Sequence, residues 1–167
     1  VKLGSPIPDF TFGLNLNGRY KSFDASVNIY AAIGQEIIRN YERQQPYANQ
    51  STFMIDRWTG PGSTDDVPRV STGSNNNTVF SDFFVEDGSF LRIRNLRVGY
   101  TLPKKWLSRQ KVESMRVYVS VNNLYTLTNY SGFDPDIGNF GGVLAAGIDY
   151  GFYPQARTIM GGFNIKF

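Results

Sequence analysis

The sequence predicts an all-β protein, a transmembrane antiparallel β-barrel with long external loops. Three observations lead there. Apolar and polar residues alternate at period two through five segments, the connections alternate between short and long, and 15% of the chain is aromatic against 19% charged. Alternation of this period marks a strand with two unlike faces. No apolar run approaches the roughly 18 residues of a membrane-spanning helix. The mean hydropathy of −0.31 suits a soluble β protein and a membrane barrel equally, because alternating faces average out. Helix is expected only as short pieces near residues 36–41 and 104–110.

Five strands are expected, near residues 10–18, 19–33, 90–102, 114–127 and 157–167. In the first, Phe10, Phe12, Leu14 and Leu16 share a phase, and Asn17-Gly18 supplies a tight-turn signal, since both residues tolerate positive φ. The second returns with Phe23, Ala25, Val27, Ile29, Ala31 and Ile33 in phase. Arg19 and Lys21 share that apolar phase, but beside a turn a lipid-facing cation costs only about 0–1 kcal/mol.

In the third strand Leu91 and Ile93 are odd, whereas Leu96, Val98, Tyr100 and Leu102 are even, so a bulge is expected near Arg94-Asn95. In the fourth, Met115, Val117, Val119 and Val121 alternate with Arg116, Tyr118, Ser120 and Asn122, with Asn123 as a blemish in the apolar phase. The fifth sets Ile159, Gly161, Phe163, Ile165 and Phe167 against Met160, Gly162, Asn164 and Lys166. About ten strand residues tilted by roughly 40° cover about 25 Å, the height of an outer-membrane barrel's apolar band.

The connections add an independent argument. A tight turn, a stretch near residues 34–89, a turn of about a dozen residues and a stretch near 128–156 alternate as short periplasmic turns and long external loops do. Tyr100, Trp106 and Phe167 then fall at the periplasmic interface and Tyr125 at the outer one. A compact soluble domain seldom needs two structureless loops of this length.

Composition narrows the function. One domain, or part of one, fits 167 residues. The chain has no Cys and no His, which removes disulfides, thiol chemistry, Cys-based metal sites and a Ser-His-Asp triad. Neither enzyme nor cofactor is expected. A net charge of +3 is too mild to suggest a nucleic-acid partner. Five strands cannot close a cylinder, since the smallest single-chain bacterial barrels use eight. The chain is therefore expected to be the tail of a larger barrel.

Several phrases resemble one family. The run Asp87-Gly88-Ser89-Phe90-Leu91-Arg92-Ile93-Arg94-Asn95-Leu96-Arg97-Val98-Gly99-Tyr100-Thr101-Leu102-Pro103 is similar to the late barrel of SusC/RagA-type TonB-dependent transporters. So are residues 116–128, Tyr130-Ser131-Gly132-Phe133-Asp134-Pro135-Asp136, the ending from Tyr153 to Phe167, and the opening phrases 4–10 and 20–24. The resemblance runs in order along nearly the whole chain. It implies the C-terminal strands of a roughly 22-stranded barrel, multi-pass in the cell outer membrane, that imports oligosaccharides or peptides. Its implied partners are the remainder of the barrel and its plug, TonB acting through that plug, a SusD-like surface lipoprotein and outer-membrane lipids. A structural or pore-forming barrel made by several chains and a soluble glycan-binding β-sandwich are the competing readings.

Candidate sites are few. Arg97, Arg116, Tyr118 and Asn122 are expected to face the lumen, where they would touch substrate, plug or water. Arg92, Arg94, Arg97, Lys104, Lys105, Arg109 and Lys111 form a basic tract that strand alternation scatters. Asp134-Pro135-Asp136 with Asn139 has the oxygen-rich look of a calcium loop without its twelve-residue pattern, so it is read as turn chemistry, as is Asp65-Asp66. Trp58 and Trp106 suit a loop anchor and an interface anchor. Residues 151–154 are expected to redirect the chain into its last strand. The resemblance further implies that Phe163, Ile165 and Phe167 signal barrel assembly.

Overall fold

The computed structural model describes residues 3–41, 52–70, 79, 81–107, 112–137 and 142–167. The fold is all-β, and among the described residues no helix is long and apolar enough to cross a membrane. A five-stranded antiparallel sheet is built from β1 (Phe10–Tyr20), β2 (Phe23–Ile33), β5 (Phe90–Thr101), β6 (Ser114–Thr128) and β8 (Thr158–Lys166), in that spatial order. A smaller sheet orders β4 (Val85–Asp87), β3 (Glu36–Arg39) and β7 (Ile148–Asp149). A short α1 (Lys104–Leu107) lies between β5 and β6.

Register turns the sequence alternation into two continuous surfaces. Leu16 pairs with Val27, Val27 with Leu96, Leu96 with Val121, and Val121 with Ile159. One row nearer the short turns, Gly18, Ala25, Val98, Val119 and Gly161 line up; beyond it come Tyr20, Phe23, Tyr100, Val117 and Phe163. The last row is an aromatic belt, with the Phe23 and Tyr100 rings 4.7 Å apart. Phe10, Tyr125 and Leu127 lie toward the opposite end, and all three are exposed. This apolar face stays open along its length: Phe12, Leu16, Val98, Val119, Ile159 and Phe163 are all exposed.

The phase change in β5 is a bulge. Asn28 pairs with Asn95 but Ile29 with Ile93, so Arg94 is an extra residue opposite β2. On the other side Ile93 faces Tyr125 and Asn95 faces Asn122, leaving Asn123 and Leu124 as two extra residues in β6. One insertion inverts the phase of β5, and two preserve that of β6, so Leu91, Ile93, Leu96, Tyr125 and Leu127 share one surface. Asn123 accordingly sits at φ 50, a left-handed conformation that Asn tolerates better than most residues.

Three expectations are corrected. The β1–β2 turn lies at Lys21-Ser22 rather than Asn17-Gly18: Tyr20 pairs with Phe23, Gly18 with Ala25, and Lys21 takes φ 54. Moving the turn by four residues keeps the apolar phases aligned while pairing all eleven residues of each strand. It also places Arg19 opposite Asp24 on the polar face, so no lipid-facing cation is needed there. Residues 36–39 form a strand rather than a helical piece. The long connections are not structureless either, since β3, β4 and β7 pair across them. Those short strands are non-local, with Ile38 paired to Ile148, and four residues carry too little periodicity to betray them. Asn139, Arg109 and Lys111 lie outside the described residues.

A Cβ at Gly18 would meet open space. Gly18→Val is therefore expected to leave the folded yield of the protein unchanged or raised, because a β-branched residue suits a strand position. A turn at Asn17-Gly18 would instead lose about 1–2 kcal/mol from a non-glycine left-handed residue, which denaturant titration reads directly.

Candidate functional site

The polar face is a ladder of side chains laid out by the same register. Asn15, Asn28, Asn95 and Asn122 form one row across four strands. The Asn28 amide donates to Asn15 Oδ1 at 2.5 Å, and the Asn95 amide donates to Asn122 Oδ1 at 2.6 Å and to Ser120 Oγ at 3.1 Å. Ser120 is fully buried. Without the bulge at Arg94, Asn95 would point to the apolar side and this row would break.

Arg116 reaches across a strand. From β6 its guanidinium passes over Gly99 of β5 and pairs in a fork with Asp24 of β2, with Nε 2.8 Å from Oδ1 and Nη2 on Oδ2. A Cβ at Gly99 would overlap that guanidinium, so the glycine is the gap through which β6 grips β2. Tyr118 leans the other way. Its hydroxyl lies 2.6 Å from where a Cβ of Gly162 on β8 would stand. The guanidinium carbons of Arg97 and Arg116 are each 5.2 Å from the centre of the Tyr118 ring. Such contacts contribute about 0.5–1 kcal/mol at exposed sites.

All four lumen candidates, Arg97, Arg116, Tyr118 and Asn122, therefore lie on the polar face. Arg116 and Asn122 are engaged with other wall residues, whereas Arg97 is exposed and makes no ion pair among the described residues. Sequence reasoning missed Asp24, Gly99 and Gly162, whose roles depend on pairing across strands distant in the chain. Phe163 and Ile165 pair with Val117 and Met115 on the apolar face, and Phe167 is 84% exposed.

At the long-loop end the oxygen-rich turn meets cations from the wall itself. Arg92, only 2% exposed, pairs with Asp134 and, at 3.4 Å, with Asp136. It also donates to Thr126 Oγ1 at 2.8 Å. Arg94 lies 3.9 Å from the Tyr30 ring centre and 3.4 Å from Asp136. The two carboxylates thus serve guanidinium groups, and among the described residues no cluster of three or more metal-ligating side chains forms. Tyr130 donates to the buried Asp149 at 2.6 Å, and burial, then that bond, push its phenol well above the ordinary value of 10.0.

Gly99→Leu is expected to lower the folded yield of the protein as Arg116→Gln does, and the double variant to add little, because both changes remove one contact. Independent, additive losses in a double-mutant cycle would refute the clamp. The raised phenol pKa means that the folded state holds its proton where an unfolded tyrosine has lost it. The stability tied to Tyr130 is then fully present below about pH 10 and lost as pH rises further. Alkaline titration followed by tyrosinate absorbance checks this, with Tyr130→Phe removing the late-titrating group.

No protein-family model matches the chain. Among curated relatives, TonB-dependent receptor P3 of Formosa agariphila is 38% identical over 173 residues, covering 99% of this chain and 17% of that protein. TonB-dependent receptor SusC of Bacteroides thetaiotaomicron is 27% identical over 163 residues, or 97% of this chain and 15% of the relative. The RagAB peptide transporter matches in structure with a TM-score of 0.78 and 26% identity, over 98% of this chain and 18% of that one. The RagAB peptide importer in its open-open state matches with a TM-score of 0.76, also at 26% identity and 98% and 18% coverage. The chain spans under a fifth of each of these relatives. Over nearly its whole length, the chain is similar to TonB-dependent receptors, SusC among them, and to the RagAB transporter.

Proposed function

We propose that the chain is a C-terminal part of the barrel of an outer-membrane TonB-dependent importer, supplying wall and external loops. The observation that carries this reading is the unbroken apolar face, from Leu16 through Val27, Leu96 and Val121 to Ile159. A sheet with one such face left open and polar groups linked across the other suits a wall between lipid and a wet interior. Both edges of the sheet need strands from elsewhere in the receptor, because hydrocarbon leaves unpaired backbone unsatisfied. The cargo is an oligosaccharide or a peptide, captured with a SusD-like surface lipoprotein and moved by energy that TonB delivers to a plug. Catalysis has no part in it.

Within that importer Arg97 is the wall residue best placed to meet an anionic group of cargo or plug, since it is exposed on the polar face and makes no direct ion pair among the described residues. Arg116, Tyr118 and Asn122 hold the wall's shape beside it. Phe163, Ile165 and Phe167 act during assembly, presenting an apolar, aromatic-ended last strand to the insertion machinery.

Depth in the bilayer supplies the test. Ile159 sits two rows above the aromatic belt and Phe163 within it. In the full receptor, Ile159→Arg is expected to cost about 2–4 kcal/mol and Phe163→Arg about 0–1 kcal/mol. Asn164→Arg, on the polar face, is expected to be nearly neutral, all three read by denaturant titration in lipid vesicles. Equal losses at Ile159 and Asn164 would overturn the assignment of faces. Removing Phe167 is expected to slow insertion without changing the final stability, and unchanged kinetics would dismiss the assembly role.

A further inference from the structure

The segment 130–136 follows β6 at the long-loop end, and its polar groups reach a different element at nearly every step. Tyr130 donates to Asp149 of β7 at 2.6 Å. The Ser131 amide and hydroxyl donate to the two Glu86 carboxylate oxygens of β4 at 2.9 and 2.8 Å. Asp134 takes Arg92 of β5, the amide of Asp136 at 2.9 Å and the amide of Gln155 at 3.1 Å, on the limb that descends to β8. The Pro135 carbonyl accepts from Gln35 at 3.4 Å, just beyond β2, and the same Gln35 amide donates to the Gly88 carbonyl at 2.8 Å. Gly132 leaves room for this arrangement, because a Cβ there would overlap the folded-back Tyr130 ring.

These anchors are buried. Tyr130, Asp134, Asp149 and Arg92 are 6%, 7%, 1% and 2% exposed. Breaking one partner of a buried charged pair strands the other without solvent, so such bonds resist being opened singly. The small sheet adds the second half of the coupling. Ile38 donates to the Gly147 carbonyl at 2.8 Å and Asn40 to the Asp149 carbonyl at 2.9 Å, so the loop after β2 is bonded to the loop after β6.

We propose that residues 130–136 are the tie point through which both long loops and the wall form one cooperative unit, so that the loops open together. This rests on the importer reading only in calling that end of the barrel external. It gives the external cover a single mechanical state: a cargo or partner that displaces one loop must displace the other.

Hydrogen exchange on the full receptor, in detergent or lipid, tests the coupling. Asp134→Asn is expected to raise exchange roughly tenfold or more, the scale of a lost charge-assisted hydrogen bond, at Gly151, Phe152 and Gln155. It is expected to do the same at Ile38, Asn40 and Gly88 in the other loop. Tyr130→Phe, the milder change, is expected to give the same pattern at lower amplitude and carries the test if Asp134→Asn does not fold. Arg97→Gln, on the wall away from this segment, is expected to leave those amides unchanged. Acceleration confined to residues 129–157, or absent at every site, overturns the proposal. Absence of TonB-dependent uptake by the full receptor would overturn the importer reading alone, since exchange reads the loops whatever the cargo.

Discussion

Everything in the sheet depends on keeping side-chain phase constant across five strands. A strand has period two, so a register error of one residue exchanges its whole apolar and polar sets. Four pairings must therefore agree, and they do so from Leu16 to Ile159 only because β5 carries one extra residue and β6 two at the same height. The bulge is what allows two stretches of opposite phase, Leu91 with Ile93 and Leu96 with Val98, to serve one surface. In the proposed membrane setting little else is tolerated, because a polar row turned toward hydrocarbon meets no water.

The same constraint explains what was legible in the sequence. Strands show through because each carries a run of at least seven alternating residues, and the bulge shows through as a break in parity at Arg94-Asn95. The apparent flaw at Asn123 is the β6 side of that bulge. The turn at Lys21-Ser22 was hidden behind Asn17-Gly18, a stronger local signal. Local turn propensity lost to pairing, since extending both strands completes a ladder of eleven pairs and brings Arg19 to Asp24. The sheet of β3, β4 and β7 left no trace because its strands are two to four residues long and pair across 47 to 110 positions.

The candidate site was legible by face and not by role. Parity alone put Arg97, Arg116, Tyr118 and Asn122 on the polar side. What each does there depends on partners two strands away, such as Asp24 for Arg116, and on glycines that read as neutral in a strand. Gly99 and Gly162 matter for what crosses them: a guanidinium over one and a phenol over the other. A polar face that satisfies its own groups in this way is held in one arrangement by its own hydrogen bonds.

The bulge also joins the wall to the loops. Arg92 precedes it on the polar face and is buried under Asp134, while the extra residue Arg94 swings to the Tyr30 ring and Asp136. One inserted residue thus corrects the phase below and aims two guanidinium groups at the same carboxylate turn above. Burying Arg92 costs several kcal/mol of lost hydration unless its carboxylates stay in place, so the loops at this end are held down by the desolvation of a sheet residue. Loop position and wall register are for that reason not independent properties of this chain: a change that removed the bulge would expose the apolar phase error and release the cover in one step.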